Sequence, residues 1–258
     1  MNKRWVNLLD TDKITIKFGG LIAVNEVSIH VAPHKITGLI GPNGAGKTTL
    51  FNCVSGVYKP NSGTVTFLDK RIDGLLPYQI NPLGIARTYQ VINLFWSMSA
   101  IQNVMVGMHP NLKSNFFTDL FNTRSKRAEE TEMSQKAYEW LQLVGLESVA
   151  SMPATSLSYG QQRLLEIVRG LASNPKLLLL DEPAAGMNTM EKQELDLLLH
   201  KIIDMGVTIL MIEHDMNLIM GICDFIYVLN EGKLLAKGIP EDVKNNPDVI
   251  TAYLGGDE

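Results

Sequence analysis

Residues 156–183 read SLSYGQQRLLEIVRGLASNPKLLLLDEP, and the two halves of this stretch set the fold. In the first half, Leu164, Ile167, Val168 and Leu171 recur at helical spacing, which predicts a helix from Tyr159 to about Ala172. In the second half, four consecutive leucines (Leu177–Leu180) predict a short strand buried on both faces. That strand ends in Asp181 and Glu182, and Pro183 bends the chain away. An apolar strand has no place for acids along its length, but its end can present them in a cleft.

Downstream the alternation continues. A helix is expected over Glu191–Met205, a strand over Val207–Ile212, a helix over Asn217–Ile222, and a hairpin of Phe225–Leu229 and Leu234–Ala236 around NEGK. Strands alternating with helices imply a parallel α/β sheet. Upstream, Ala23–Val31 roughly alternates, and turn signals break the region between Ile14 and Ile40. This part reads as antiparallel strands leading into one buried strand, Ile36–Ile40. A helix is expected over Thr49–Ser55, strands over Thr64–Leu68 and Ile85–Tyr89, and a helix over Met98–Met108. The segment His109–Thr123 has no clear period. From Ser125 the pattern turns helical, with Lys126–Glu130 and Glu132–Lys136 as i,i+4 charge pairs. Ala137, Trp140, Leu141 and Val144 form its apolar stripe, and Gly145 is a stop signal. The expected fold class is α/β: one domain over 1–258, with a parallel-sheet core and an antiparallel β subdomain (about 1–88 and 173–258) and an all-helical subdomain (about 89–172).

The strand Ile36–Ile40 runs into GPNGAGKT, Gly41–Thr48, which satisfies G-x-x-x-x-G-K-[ST]. Glycines let such a loop wrap so that successive N–H groups point inward as an anion nest. The helix that follows adds its positive end. Lys47 supplies a point charge for β- and γ-phosphates, and the Thr48 hydroxyl suits Mg²⁺, which prefers oxygen ligands. Asp181 would hold the Mg²⁺ shell and Glu182 would polarise an attacking water. His214 follows the strand Val207–Ile212, a parallel neighbour of the strand ending in Asp181, so it should face the same crevice.

Composition narrows the class. The 258 residues are 45% hydrophobic and 19% charged, with a net charge of −4. That supports a buried core and disfavours a nucleic-acid partner. Cys53 and Cys223 are too few for a disulfide framework and read as buried apolar residues. The first residues, MNKRWVNLLDTDK, lack a signal-peptide core, and no apolar run is long enough to span a bilayer. RSKR, Arg124–Arg127, reads as a solvated helix face rather than a lipid contact.

These residues resemble the ATP-binding subunits of ABC transporters, in family order and over nearly the whole chain. The matching motifs are the P-loop Gly41–Thr48, a Q-loop at Gln90 in RTYQ, the signature LSYGQQ (Leu157–Gln162), LLLLDEP (Leu177–Pro183), a D-loop ending at Asn188 in AAGMN, and the switch histidine His214. The resemblance implies a P-loop ABC ATPase fold with ATP and Mg²⁺ as cofactors. Phe18 stands where the family stacks an aromatic on adenine. Nucleotide contacts fall on Phe18, Gly41, Pro42, Asn43, Gly44, Ala45, Gly46, Lys47, Thr48 and Thr49, and Mg²⁺ contacts on Thr48, Gln90 and Asp181. Glu182 is implied as general base, with His214 and Gln90 around the water. Leu157, Ser158, Tyr159, Gly160 and Gln161 would meet the ATP of a second, head-to-tail ATPase subunit.

GIARTYQVINLF, ATSLSYGQQRLLEIVRGLA and the terminal PDVITAYLG are similar to the longer ATPase subunit of branched-chain amino-acid importers. This implies permease subunits, an indirect link to an extracytoplasmic solute-binding protein, no nucleic acid, and a peripheral place on the cytoplasmic face of the membrane. Related systems that move urea, short amides or lipopolysaccharide, and non-transport ABC ATPases, are the alternatives. Tyr159 replaces a common glycine and Asn188 a common aspartate. A helical, negative φ is expected at Tyr159, with its ring turned from the nucleotide and the Gly160 backbone left open.

Overall fold

In a computed structural model, which describes residues 7–108 and 124–254, two sheets share a core. The larger has the order β11-β10-β4-β9-β8-β7. Its centre is β4 (Ile36–Ile40), β9 (Thr208–Ile212) and β8 (Leu177–Asp181), parallel to one another. Every residue of these three strands is buried, which is why they read as unbroken apolar runs. β7 (Ile85–Arg87) is parallel to β8, and β10 (Phe225–Asn230) to β4. β11 (Lys233–Gly238) closes the sheet as the antiparallel arm of a hairpin.

Alternation along β8 assigns the two faces. Leu178 and Leu180 enter a cluster with Leu164, Ile167 and Leu195 from the helices. Leu177 and Leu179 enter another with Leu50 and Phe51 of α1 (Lys47–Val54) and with Ile14 and Val65 of the second sheet. That second sheet is antiparallel: β1 (Leu9–Phe18) lies between β2 (Leu21–Val27) and β5 (Ser62–Phe67), β3 (His30–Val31) also pairs with β1, and β6 (Lys70–Arg71) flanks β5. α1 is therefore sandwiched between the sheets, with its first turn at the end of β4.

α2 (Pro77–Ile80) leads to β7. Between β7 and β8 the regular elements among the described residues are α3 (Ala100–Met108), α4 (Arg124–Leu143), α5 (Tyr159–Leu171) and short single turns. α6 (Thr189–Asp204), α7 (Met216–Ile222), α8 (Pro240–Lys244) and α9 (Pro247–Leu254) complete the chain. The sequence reading put α1 two residues too late. The left-handed backbone at Gly46 (φ 96°) lets the helix begin at Lys47. β1 begins five residues before the expected region, and α8 and α9 went unread.

The Glu132–Lys136 pair forms at 2.6 Å. The segment His109–Thr123, the Lys126–Glu130 pair and the RSKR side chains lie outside the description. Cys53 and Cys223 are free and buried, and burial pushes both thiols up to about 12. No helix among the described residues is long and apolar enough to cross a membrane.

Candidate active site at the phosphate loop

The loop between β4 and α1 owes its shape to glycines. Gly41 has φ 147° and packs so closely against the Leu229 carbonyl that a Cβ would not fit. Gly44 and Gly46 also have positive φ, at 78° and 96°. No side chain caps α1, so its first N–H groups are available to an anion. The loop walls a cavity of about 640 Å³ together with Phe18, Ala23, Gln90, Glu182 and His214. Asn43 through Thr49 line it continuously.

Lys47 is buried, and its Nζ folds back to donate to the carbonyls of Gly41 (2.6 Å) and Pro42 (2.9 Å). Gly41 and Pro42 thus serve the lysine and do not line the cavity. Burial pulls the Lys47 pKa below 10.5, and the carboxylates of Glu182 and Asp181 pull it back up. Phe18 is 44% exposed at the cavity mouth, edge-on to Tyr58 with ring centroids 5.2 Å apart. A partly exposed ring of this kind can stack on a flat base.

Glu182, just past β8, also lines the cavity. Its φ of 50° is costly for a residue with a side chain, and such strain gathers at functional sites. Its N–H donates to the Ile212 carbonyl, locking this left-handed residue to the end of β9. Gln90 Nε2 donates to Glu182 Oε2 (3.0 Å), and His214 Nε2 lies 2.6 Å from Glu182 Oε1. Both carboxylate oxygens are therefore held from opposite sides, one by the segment after β7 and one by the segment after β9.

Asp181 is deeper, 2% exposed. Burial raises its pKa, and the charge and hydrogen bond of Arg87 oppose the shift. Arg87 donates to Asp181 Oδ2 (2.9 Å), to Asn52 Oδ1 (2.7 Å) and to Ser55 Oγ (2.7 Å). Asp181 Oδ1 is buried without a partner. A stranded carboxylate oxygen and the exposed Thr48 hydroxyl are the donor chemistry a hard cation takes.

The other expected site residues lie away from the cavity. Tyr159 opens α5 and is absent from the positive-φ residues. Its ring lies against Gly186 in the D-loop, where an added Cβ would come 3.0 Å from Cε1. Ser158 caps the helix: its Oγ accepts from Gln161 N (3.3 Å), and Gln161 Oε1 accepts from Ser158 N (2.9 Å). Leu157 is buried. Gly160 differs from expectation, because it is buried and the Glu191 carboxylate occupies the space a Cβ would need. The cause is the cap of α6: Asn188 Oδ1 accepts from Glu191 N, and Glu191 Oε2 accepts from Asn188 N, fixing Glu191 over Gly160.

Sequence reasoning missed two anchors besides Arg87. Glu213, 3% exposed, accepts from Ala184 N (2.7 Å) and His214 N (2.9 Å), tying the turn after Glu182 to the switch histidine. Arg163, fully buried, donates to the backbone of the Gln90 segment. An acid at the end of an apolar strand was the available signal for Glu213. Arg163 gave none, since an arginine in the second turn of an amphipathic helix normally reads as solvated.

A strand-loop-helix phosphate cradle with two acids ending the parallel strand β8 defines a P-loop nucleotide hydrolase. The chain belongs to the ABC transporter family, whose model matches residues 24–185. A second model, described as a branched-chain amino acid ATP-binding cassette transporter, matches residues 233–258. The chain is 48% identical to the high-affinity branched-chain amino acid transport ATP-binding protein LivG of Escherichia coli (strain K12), over 96% of this chain and 98% of that one. It is 45% identical to BraF of Pseudomonas aeruginosa, described in the same words, with the same coverage. A crystal structure of a nucleotide-free ATP-binding cassette from an ABC transporter superposes with a TM-score of 0.84 at 32% identity, covering 96% of this chain and 98% of that one. The ADP conformation of such a cassette gives 0.84 at 31%, covering 96% and 99%. The protein is an ABC-type ATPase that binds nucleotide and works in a transporter complex.

Proposed function

We propose that this ATPase powers the import of branched-chain amino acids. The observation that carries the catalytic part is the Glu182 carboxylate, held on one oxygen by Gln90 and on the other by His214 at the wall of the phosphate cavity. The cargo is supported by the descriptions of LivG and BraF, which match almost end to end.

In this reading the Asn43–Thr49 backbone and Lys47 grip the phosphates, and Phe18 stacks on the adenine. Thr48, Asp181 and Gln90 would hold Mg²⁺, which when bound would supply charge neutralisation for the phosphates. Glu182 accepts the proton of the attacking water while His214 and Gln90 keep its carboxylate aimed. Positioning and charge compensation carry most of such a transfer. The signature residues Leu157–Gln161 complete the ATP site of a second, head-to-tail subunit, and Asn188 lies at that junction. The helical stretch 89–172 acts as a subdomain that docks on the permease subunits. A solute-binding protein outside the cell delivers the cargo, and the ATPase sits peripherally on the cytoplasmic face.

Radiolabelled leucine uptake by vesicles holding the whole importer tests this reading, with the same vesicles assayed for ATP turnover. Glu182→Gln should still bind ATP, stall hydrolysis, accumulate closed ATPase dimers and stop uptake. Wild-type turnover by that variant removes Glu182 as the base. Robust ATP-driven cycling by the wild type with no movement of leucine, isoleucine or valine removes the cargo assignment.

A further inference from the structure

The signature helix α5 carries two charged side chains that never reach water. Arg163 and Glu166, one turn apart, have side-chain exposures of 0% and 1%. They pair at 2.8 Å, but most of their hydrogen bonds go elsewhere. Arg163 Nη1 donates to the Tyr89 carbonyl and Arg163 Nη2 to the Gln90 carbonyl, each at 2.8 Å. Glu166 Oε1 accepts from Asn93 N at 3.1 Å. The pair thus holds three backbone groups of one short segment, Tyr89–Asn93, across more than seventy residues of sequence.

Burying two charges is expensive, and as a stability device an apolar pair of similar volume often does as well. The Nε of Arg163 is even left buried without a partner. What an apolar pair cannot do is fix backbone groups in register. The planar fork of arginine suits two successive carbonyls. The fixed segment includes Gln90, whose side chain lies exposed at the cavity and donates to Glu182. The backbone grip and the side-chain contact belong to the same residue.

We infer that Arg163 and Glu166 are positioning residues for hydrolysis: from the signature helix they hold the Tyr89–Asn93 backbone so that the Gln90 amide meets the Glu182 carboxylate. This rests on the proposed roles of Gln90 and Glu182. It gives the signature helix a second task, in its own subunit's active site, besides the one it offers a partner. Displacement of reacting groups by about an ångström can cost on the order of a hundredfold in rate, so the grip has kinetic weight without touching ATP.

The test is a cycle on the intact transporter. The double variant Arg163→Met/Glu166→Leu, the single variant Gln90→Ala and their combination are compared for kcat, KM for ATP and melting temperature. The double variant should melt within about 4 °C of wild type, since both charges leave together. Its KM should be unchanged and its kcat lower by roughly ten- to a hundredfold. Adding Gln90→Ala should lower kcat no further. Wild-type kcat in the double variant overturns the inference, as does a combined loss equal to the product of the separate losses.

Arg163→Lys covers the case of a double variant that does not fold. It keeps the charge but cannot span both carbonyls, so kcat should fall at constant KM, and full kcat overturns the inference. Failure of the underlying reading looks different. It appears as wild-type turnover by Glu182→Gln or Gln90→Ala, and the inference then falls with it.

Discussion

At the scale of single residues, the cavity is a set of charges whose solvation the fold has already reduced. Lys47 is the clearest case. Its ammonium is buried and parked on two backbone carbonyls, and burial holds its pKa below 10.5 against the pull of Glu182 and Asp181. A phosphate arriving in the loop favours the charged form, so ATP binding should be coupled to the protonation of Lys47. The sign follows from linkage. Below the free subunit's Lys47 pKa the ammonium is present and affinity is independent of this group. Above it, binding must take up a proton, and affinity falls by up to about tenfold per pH unit. Calorimetric titration between pH 7 and 10.5 should show the ATP Kd weakening before 10.5 is reached. A flat Kd across that range contradicts the coupling. Lys47→Ala should lose on the order of ten- to a hundredfold in affinity and show no such dependence on pH.

At the scale of elements, what could be read in advance depended on whether the signal was local. β4, β8 and β9 were legible because strands buried on both faces leave uninterrupted apolar runs, and the phosphate loop because its glycines are needed where they stand. The start of β1 was not legible. Asp10 and Asp12 interrupt its first turn of alternation, and its pairing with β5 (Thr11 opposite Val65) comes from more than fifty residues away. Arg87 and Arg163 were missed for the same reason. The carboxylate that Arg87 meets lies 94 residues off and the Gln90 carbonyl that Arg163 meets 73 residues off, while the local partner of Arg163, Glu166, reads as an ordinary i,i+3 surface pair. Glu166 can sit in the core only because those contacts exist. Burial raises its pKa, while the Asn93 N–H, Arg163 and Arg169 hold it down.

Asn188, which stands where aspartate is common in the family, also has a local meaning. Asn188 caps α6 in a reciprocal box with Glu191. Asparagine and aspartate cap about equally well, whereas alanine at an N-cap costs about 1 kcal/mol. Asn188→Ala should therefore lower the melting temperature by about 2–4 °C, and Asn188→Asp should leave it nearly unchanged. Equal melting of all three would show that the cap carries no stability here.

At the scale of the whole molecule, an apolar stretch of the described surface lies outside the ATP site. Just past Gln90, Val91 is 80% exposed, Phe95 46% and Trp96 43%. The backbone beneath them is firmly set. Fully buried Asn103 accepts from Phe95 N (2.9 Å) and donates to the Phe95 carbonyl (3.1 Å), and the Arg169 guanidinium lies 5.6 Å from the Phe95 ring centroid. A rigid, exposed apolar segment is an interaction surface in waiting. It lies within six residues of the Gln90–Glu182 contact, so in the proposed importer it would be a short route from ATP to a permease subunit. Phe95→Ser/Trp96→Ser should leave the fold almost untouched, since both rings are half in solvent and the cation–π contact is worth only about 0.5–1 kcal/mol. The isolated subunit should bind and hydrolyse ATP as before. In vesicles holding the whole importer, leucine uptake per ATP consumed should collapse, because turnover continues without a grip on the membrane subunits. Unchanged uptake per ATP would place the permease contact elsewhere. Loss of ATP turnover in the isolated variant would instead mean that these rings support the Gln90 segment from below, as Arg163 and Glu166 support it from the signature helix.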